Sequence, residues 1–200
     1  MAGTLSLNFS GSEASFAVGA KSVWLITHDE GLNNRVLTQV DVANLTVTKK
    51  IPLPFAGAGV TFELGHVWIT SPDANQLMKV DLDSGSVSSF VTESGPRFVT
   101  SGEGHVWTLN QSAGSVQKFN AETGALEATV AAGLAGGGGD IDFGEGAIWV
   151  TMPGKPVTKI DKDLNVVLLS FVGSGLGDAI RAGYGSVWVS GSNIHRIAAP

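Results

Sequence analysis

The segment SGEGHVWTLN, residues 101–110, is one of five recognisable copies along the chain. The other copies are AVGAKSVWLIT (17–27), FELGHVWITS (62–71), FGEGAIWVTM (143–152) and AGYGSVWVSG (182–191). Their tryptophans are separated by 44, 39, 42 and 39 residues and stand at Trp24, Trp68, Trp107, Trp149 and Trp188. A period of about 40 residues with an aromatic signature and short β-type runs predicts a β-propeller, one four-stranded blade per repeat.

Each repeat predicts four antiparallel strands, A to D. Strand A ends in a turn, in the segments FAVGA, VTFEL, FVTSG, IDFGE and IRAGY. Strand B carries the tryptophan, and strand C follows in VLTQVD, LMKVD, VQKFN, VTKID and IHRIA. Strand D is found only four times, as LTVTKKI, VSSFV, LEATV and VVLLSFV. The fifth repeat therefore lacks its outer strand.

The N-terminal segment is the predicted source of that missing strand. Joining the termini gives IHRIAAP-MAGTLSLNFSG, which parallels VQKFNAETGALEATV of the third repeat. We therefore expect residues 4–9 to complete the blade that begins at about residue 179, making 1–200 one closed five-bladed domain. Closure removes the exposed sheet edges of an open arc, which also favours a monomer. The alternative is a piece of a longer, seven-bladed chain.

Composition excludes several classes of protein. The net charge of −6, with 12 basic residues spread along the chain, argues against a nucleic-acid partner. There is no cysteine, so neither disulfides nor thiolate metal sites are available. No apolar run is long enough for a membrane span, and the N-terminus lacks the features of a signal peptide. We expect a soluble cytoplasmic protein with no membrane partner, although a mature secreted protein would look the same.

The repeat also resembles a known group of propellers. The unit G-x-G-x-V-W-V-T, followed by V-x-K-I-D and T-G-x-x-x-x-x-V, is similar to repeats of the YncE-like, YVTN and virginiamycin B lyase-like propellers, over essentially the whole chain. The resemblance implies the propeller fold. The lyase-like signature Trp-Phe-Thr-Glu is absent, since Trp24 is followed by Leu25-Ile26-Thr27. The catalytic His and Glu of that family therefore have no matching positions here.

Residues that recur at one position of every repeat predict scaffold roles, because a shared residue has a shared structural cause. We expect the tryptophans to pack between blades. We expect a periodic polar surface from the strand C residues Gln39, Lys79, Lys118, Lys159 and Arg196. His66 and His105 both precede the Val-Trp pair, and we interpret them as parts of the A-to-B turn.

A lengthened connection makes the first repeat an exception. From Trp24 to Asp41 there are 17 residues, against 13 and 12 in the second and fourth repeats. The extra residues fall in THDEGLNNR, residues 27–35, where the side chains able to titrate or bind a ligand are His28, Asp29, Glu30 and Arg35. Because B-to-C and D-to-A loops share one face of a propeller, these side chains are candidates for an axial site. A solvated surface loop is the alternative.

A second exception lies on the inner strands. Seven residues before each tryptophan stand Ala17, Thr61, Thr100, Asp142 and Arg181. An acid and a base thus replace small residues in two neighbouring blades, with Arg97, Asp140 and Asp178 nearby in the sequence. Such a group could hold a substrate carbonyl or carboxylate, or use a carboxylate as a general base. An ion pair between blades is the alternative interpretation.

These observations leave two classes of function. In the first, the protein is a non-catalytic propeller that binds a small molecule on the axial face made by D-to-A and B-to-C loops. In the second, it is a virginiamycin B lyase-like non-redox enzyme, a lyase, isomerase or cyclase for a small or macrocyclic substrate, in which His28, Asp142 and Arg181 are catalytic. No nucleophile elbow or dinucleotide fingerprint is visible. We expect no cofactor, with a divalent cation at the axial face as the alternative.

Overall fold

The computed structural model describes residues 4–7, 15–29, 32–173 and 176–199. These residues form nineteen β-strands and contain no helix. In this part of the chain there is accordingly no helix long and apolar enough to cross a membrane. The predicted all-β class is confirmed.

The strands form five antiparallel sheets that follow one another along the chain, and we number them as blades 1 to 5. Blade 1 contains β1 (Phe16–Gly19), β2 (Ser22–Asp29), β3 (Leu32–Asp41) and β4 (Thr46–Pro52). Blade 2 contains β5 (Val60–Glu63), β6 (His66–Ser71), β7 (Gln76–Asp81) and β8 (Val87–Val91). Blade 3 contains β9 (Pro96–Gly102), β10 (His105–Asn110), β11 (Ser115–Asn120) and β12 (Leu126–Ala131). Blade 4 contains β13 (Asp140–Gly144), β14 (Ala147–Met152), β15 (Lys155–Asp161) and β16 (Val167–Phe171). Blade 5 contains β17 (Leu176–Gly183), β18 (Ser186–Gly191) and β19 (Ile194–Ala198).

The glycine before the tryptophan in four of the five blades suits the geometry of the A-to-B turn. In blade 2 both central residues of this two-residue turn have positive φ, 47° at Leu64 and 77° at Gly65. Positive φ at both positions is the geometry of a type I′ turn, whose twist matches that of the paired strands. Glycine reaches this conformation without steric penalty. Blade 1 makes the same turn with Ala20 and Lys21, at φ 50° and 62°, and therefore carries strain there.

The acid or amide that ends strand C closes the C-to-D turn. Asp41 Oδ1 accepts hydrogen bonds from the backbone N–H groups of Ala43 and Asn44, at 2.9 and 2.8 Å. Asn120 accepts an equivalent pair in blade 3, both at 3.0 Å, and Asp161 does so in blade 4 at 2.9 and 2.8 Å. These repeated polar residues therefore have a structural role.

Tryptophans fill the interfaces between consecutive blades. Trp24, Trp68, Trp107 and Trp149 are each at most 2% exposed. They belong to four clusters of buried apolar residues, one at each interface from blade 1 to blade 5. Trp107 stacks on Phe143 of the next blade, with ring centroids 5.2 Å apart and planes 12° apart. The predicted packing role is confirmed for these four side chains.

The strand C cations also belong to the scaffold. Lys79, Lys118, Lys159 and Arg196 each place their charge over the tryptophan ring of their own blade, 5.2 to 5.9 Å from its centroid. A cation over an aromatic face contributes about 0.5–1 kcal/mol at an exposed site. Their shared sequence position thus has a shared structural cause.

The two repeated histidines brace the A-to-B turn, as predicted. His66 Nδ1 lies 2.8 Å from the carbonyl oxygen of Leu64, and His105 Nδ1 lies 2.9 Å from that of Glu103. The other ring nitrogen of His105 is 3.1 Å from the Glu127 carboxylate on β12. Each ring therefore contacts a carbonyl oxygen of the A-to-B turn, and the ring of His105 also connects this turn to the outer strand of its blade.

Blade 5 has three strands where the others have four. The predicted outer strand, residues 4–9, is only partly described: residues 4–7 belong to no strand, and residues 8 and 9 lie outside the described residues. Closure of the ring by the N-terminal segment therefore stays a prediction.

The interface between blades 5 and 1 also differs from the other four. Among the described residues, no cluster of buried apolar side chains joins these two blades. Trp188 is 44% exposed, and Phe16 and Val18, which correspond to residues that face the preceding blade elsewhere, are 60% and 65% exposed. Two apolar surfaces that are complementary at every other interface are thus left uncovered.

Candidate functional site

Residues on or next to the inner strands of all five blades line a cavity of about 310 Å³. Its lining residues are Ser15, Phe16, Gly59, Val60, Thr61, Phe98, Val99, Thr100, Asp140, Ile141, Asp142 and Arg181. Blades 1 to 3 contribute apolar, hydroxyl or glycine residues, whereas blades 4 and 5 contribute the three charged side chains. The cavity is therefore polar on one side and largely apolar on the other.

Asp142 makes a hydrogen bond that a neutral residue makes elsewhere in the ring. Its Oδ2 accepts from the backbone N–H of Ala182 on the next inner strand, at 2.8 Å. One blade earlier, Thr100 Oγ1 accepts from the backbone N–H of Phe143 at 3.0 Å. Asp142 and Thr100 occupy equivalent positions, each paired with the tryptophan of its own blade. The link between blades thus needs an acceptor at this position but not a charge.

Asp140 and Arg181 form an ion pair at the cavity wall. Asp140 Oδ2 accepts a hydrogen bond from Arg181 Nη1 and a second, of 3.3 Å, from the backbone N–H of Ile180. The Asp140 side chain is 13% exposed, while that of Arg181 is 67% exposed. The carboxylate is therefore held by the scaffold, and the guanidinium reaches into the open space.

Burial raises the pKa of both cavity carboxyl groups above the usual aspartate range. For Asp140 the main cause is loss of hydration, partly offset by Arg181, which lowers the pKa. For Asp142 loss of hydration is again the largest cause, and the nearby Asp140 carboxylate raises the pKa further. The hydrogen bond from Ala182 and the charge of Arg181 act in the opposite direction. The site thus carries carboxylates that would gain from a cationic partner.

The structure brings three of the predicted site residues together, Asp140, Asp142 and Arg181. The other two inner-strand candidates are not among the described residues that line the cavity. Arg97 is half-buried on β9, with its guanidinium carbon 5.8 Å from the centroid of the Phe98 ring. Asp178 is exposed on β17.

The lengthened segment of the first repeat extends a hairpin. Its extra residues continue β2 and β3, which contain eight and ten residues. His28 and Asp29 end β2, and Asp29 pairs with Lys50 at 2.9 Å. Arg35 donates from Nε to the carbonyl oxygen of Leu53 at 3.3 Å.

None of these three candidates is among the described residues that line the cavity, and Glu30 lies outside the described residues. His28, half-buried on its strand, is therefore not placed beside Asp142 and Arg181 in the cavity wall.

Two aromatic lining residues, Phe16 and Phe98, did not stand out in the sequence. Phe98 lies nine residues before its tryptophan, where the other repeats carry Ser15, Gly59, Asp140 and Ala179. A comparison at that position would have singled out Phe98 and Asp140 together. No group of three or more His, Asp or Glu that could hold a metal ion occurs in the described part of the chain.

Comparison with known proteins gives the fold. No protein-family model matches the chain, and no curated protein matches it. Among solved structures, it is similar to the hydrazine synthase of Kuenenia stuttgartiensis, with a TM-score of 0.75 at 9% sequence identity. The match covers 88% of this chain and 55% of that chain, so the chain spans about half the length of that relative. With the stacked four-stranded sheets, this similarity identifies a β-propeller fold.

Proposed function

We propose that this chain is a small-molecule-binding propeller that holds its ligand in the axial cavity and performs no chemistry on it. The observation that carries the proposal is the charge on Asp142. Thr100 shows that the same link between blades is made by a neutral hydroxyl, so the scaffold does not account for a partly buried carboxylate. Arg181, exposed beside it, is likewise a departure from the small residues at the equivalent positions. Partly buried charges that the fold does not require mark functional sites.

Substitution of Arg181 tests this function. A fragment set of acids, amines and neutral aromatic compounds is screened against the full chain by ligand-observed NMR. Arg181→Lys should weaken binding of the acidic fragments roughly tenfold although the charge is kept, because the planar fork is lost. Arg196→Lys, the same change outside the cavity, is the matched control and should leave binding unchanged. If no fragment binds, or if Arg181→Lys binds the acidic fragments as tightly as Arg196→Lys does, the proposal is wrong.

A non-redox enzyme similar to the virginiamycin B lyase-like propellers is the second candidate. It is favoured by the raised pKa of Asp142, which suits a general base beside an Arg that could hold a carbonyl oxygen. The repeat pattern also supports a relationship with these and the YncE-like propellers. The position of His28 gives this candidate no support. A cavity of about 310 Å³ lies at the lower end of the ligand-site range, which favours a small substrate over a macrocyclic one.

The proposed propeller is a closed five-bladed monomer in which residues 4–9 complete blade 5. Residues 4–7 support this arrangement through their burial, since Leu5 and Leu7 are half-buried while Thr4 and Ser6 are exposed. Such alternation is the pattern of a strand with one covered face. Docking of blade 5 on blade 1 would cover Trp188 as the other tryptophans are covered. Closure would also leave the axial cavity accessible only along the ring axis.

A further inference from the structure

Arg181 presents an unused pair of donors to the cavity. Both of its hydrogen bonds, to Asp140 and to the carbonyl oxygen of Ile180, are made by Nη1. In the described structure Nε and Nη2 have no protein partner, and these two atoms form one edge of the planar guanidinium. That edge matches the two oxygens of a carboxylate, which Arg binds in bidentate fashion. With 67% of the side chain exposed, the edge is accessible to a ligand.

Asp142 offers an acceptor next to this edge. Its hydrogen bond from Ala182 uses Oδ2. The backbone N–H of Phe143 also stabilises the carboxylate, and its two oxygens together can accept further hydrogen bonds. Asp142 and Arg181 stand at the same register on neighbouring inner strands, each opposite its own tryptophan. The bond to Ala182 places the carboxylate beside the residue that follows Arg181. A partly buried carboxylate with remaining acceptor capacity is suited to a ligand ammonium group, which would offset its lost hydration.

The opposite side of the cavity is apolar. Phe16, Val60 and Phe98 line it, and Phe16 is 60% exposed. The hydroxyl oxygens nearby each have one partner in the scaffold, since Thr61 bonds Ser101 at 2.6 Å and Thr100 accepts from the backbone N–H of Phe143. The aromatic and aliphatic side chains give this side its apolar contact area, which suits an apolar or aromatic group.

We infer that the cavity binds a small zwitterion, an α-amino acid with an apolar side chain. Its carboxylate would lie on Nε and Nη2 of Arg181, its ammonium group on the Asp142 carboxylate, and its side chain against Phe16 and Phe98. The two charged groups of an α-amino acid are adjacent, as are the two protein groups that would receive them. The cavity volume suits a ligand of this size. This inference rests on the proposed binding function and specifies its ligand.

Three related compounds test the inference, with the full chain and isothermal titration calorimetry. L-phenylalanine has both charged groups, 2-phenylethylamine lacks the carboxylate, and 3-phenylpropionate lacks the ammonium group. We expect phenylalanine to bind at least about tenfold more tightly than either analogue, because each analogue loses one charge-assisted contact. Equal binding of phenylalanine and either analogue would overturn the zwitterion.

Two variants assign each charge to its protein partner. Asp142→Asn, which keeps the acceptor for Ala182, should weaken phenylalanine and phenylethylamine roughly tenfold and leave phenylpropionate unchanged. Arg181→Gln should weaken phenylalanine and phenylpropionate and spare phenylethylamine. Asp163→Asn, on a side chain 72% exposed outside the cavity, is the charge-matched control and should change nothing. If Asp142→Asn instead weakened phenylpropionate, or Arg181→Gln weakened phenylethylamine, the assignment of the two charges would be wrong.

Failure of this inference can be distinguished from failure of the binding function. If none of the three compounds binds but another fragment does, and its binding is weakened by Arg181→Lys, the amino-acid ligand is wrong and the axial binding function stands. If no fragment of any charge binds, both are wrong.

Discussion

The charge of a single side chain distinguishes the candidate site from the scaffold of this propeller. The position seven residues before the tryptophan accepts a backbone hydrogen bond from the next blade, through Thr100 in one case and Asp142 in another. Both side chains satisfy the donor, but only the aspartate brings a charge that loses hydration. The carboxylate therefore reduces the stability of the fold near neutral pH unless a ligand or Arg181 compensates for it.

This cost predicts a pH dependence. Because the folded-state pKa of Asp142 is raised, the folded chain binds more protons than the unfolded chain between the two pKa values. The free energy of unfolding should therefore fall as pH rises from the unfolded pKa of about 3.9 through the folded pKa. Asp142→Asn removes the contribution of this carboxyl group to the decrease in stability. The difference in melting temperature, variant minus wild type, should therefore become more positive as the pH is raised from 3.5 to 7.

Thermal melts of wild type, Asp142→Asn and the exposed control Asp163→Asn across that pH range check the prediction. A difference between wild type and Asp142→Asn that is constant with pH would show that Asp142 titrates at the same pH in both states. The interpretation of the carboxylate as a cost to the scaffold would then fail.

At the scale of single elements, the A-to-B turn gives the clearest link from sequence to energy. Four of the five turns place glycine at the second central residue, and the fifth places Lys21 there at φ 62°. A side chain in the left-handed region costs roughly 1–2 kcal/mol, and glycine avoids that cost at the expense of greater freedom in the unfolded chain. Lys21→Gly should therefore raise the free energy of unfolding by about 1 kcal/mol.

The matched control is the reverse change at the equivalent turn. Gly65 has φ 77°, and a Cβ there would meet no neighbouring atom, so Gly65→Ala tests the backbone alone. It should lower the free energy of unfolding by a similar amount, measured by urea denaturation. If Lys21→Gly lowers stability instead, the lysine makes a compensating contact that outweighs its backbone strain.

At the scale of the whole molecule, stability depends on whether blade 5 docks on blade 1. Deletion of residues 1–10 should remove the outer strand of the last blade, and we expect aggregation or loss of a cooperative thermal transition. Leu7→Asp, at a half-buried position, should lower the melting temperature, whereas Ser6→Asp, at the exposed neighbour, should not. Scanning calorimetry and size-exclusion chromatography measure both. A soluble, monomeric deletion variant with an unchanged melting temperature would contradict closure.

The sequence by itself determined the repeating parts of this protein. The Trp period, the turn glycines and the alternation of apolar residues each follow from local geometry that recurs in every blade, so the strands and the packing of four tryptophans were predictable. The candidate site could be predicted from the sequence only in part. Asp142 and Arg181 stood out as departures from the repeat, because a residue unlike its counterparts can be recognised without coordinates.

Tertiary structure alone decided which of the unusual residues lie together. His28 and Asp142 looked equally exceptional in sequence, but the extra residues around His28 pair with each other and lengthen a hairpin, while Asp142 stays on an inner strand. Whether an insertion extends two strands or forms a separate loop depends on pairing across the sheet, which local sequence does not fix. Phe98 reaches the cavity for a similar reason. Its surroundings are set by the inner strands of other blades, about 40 residues away in sequence and adjacent only once the blades stack.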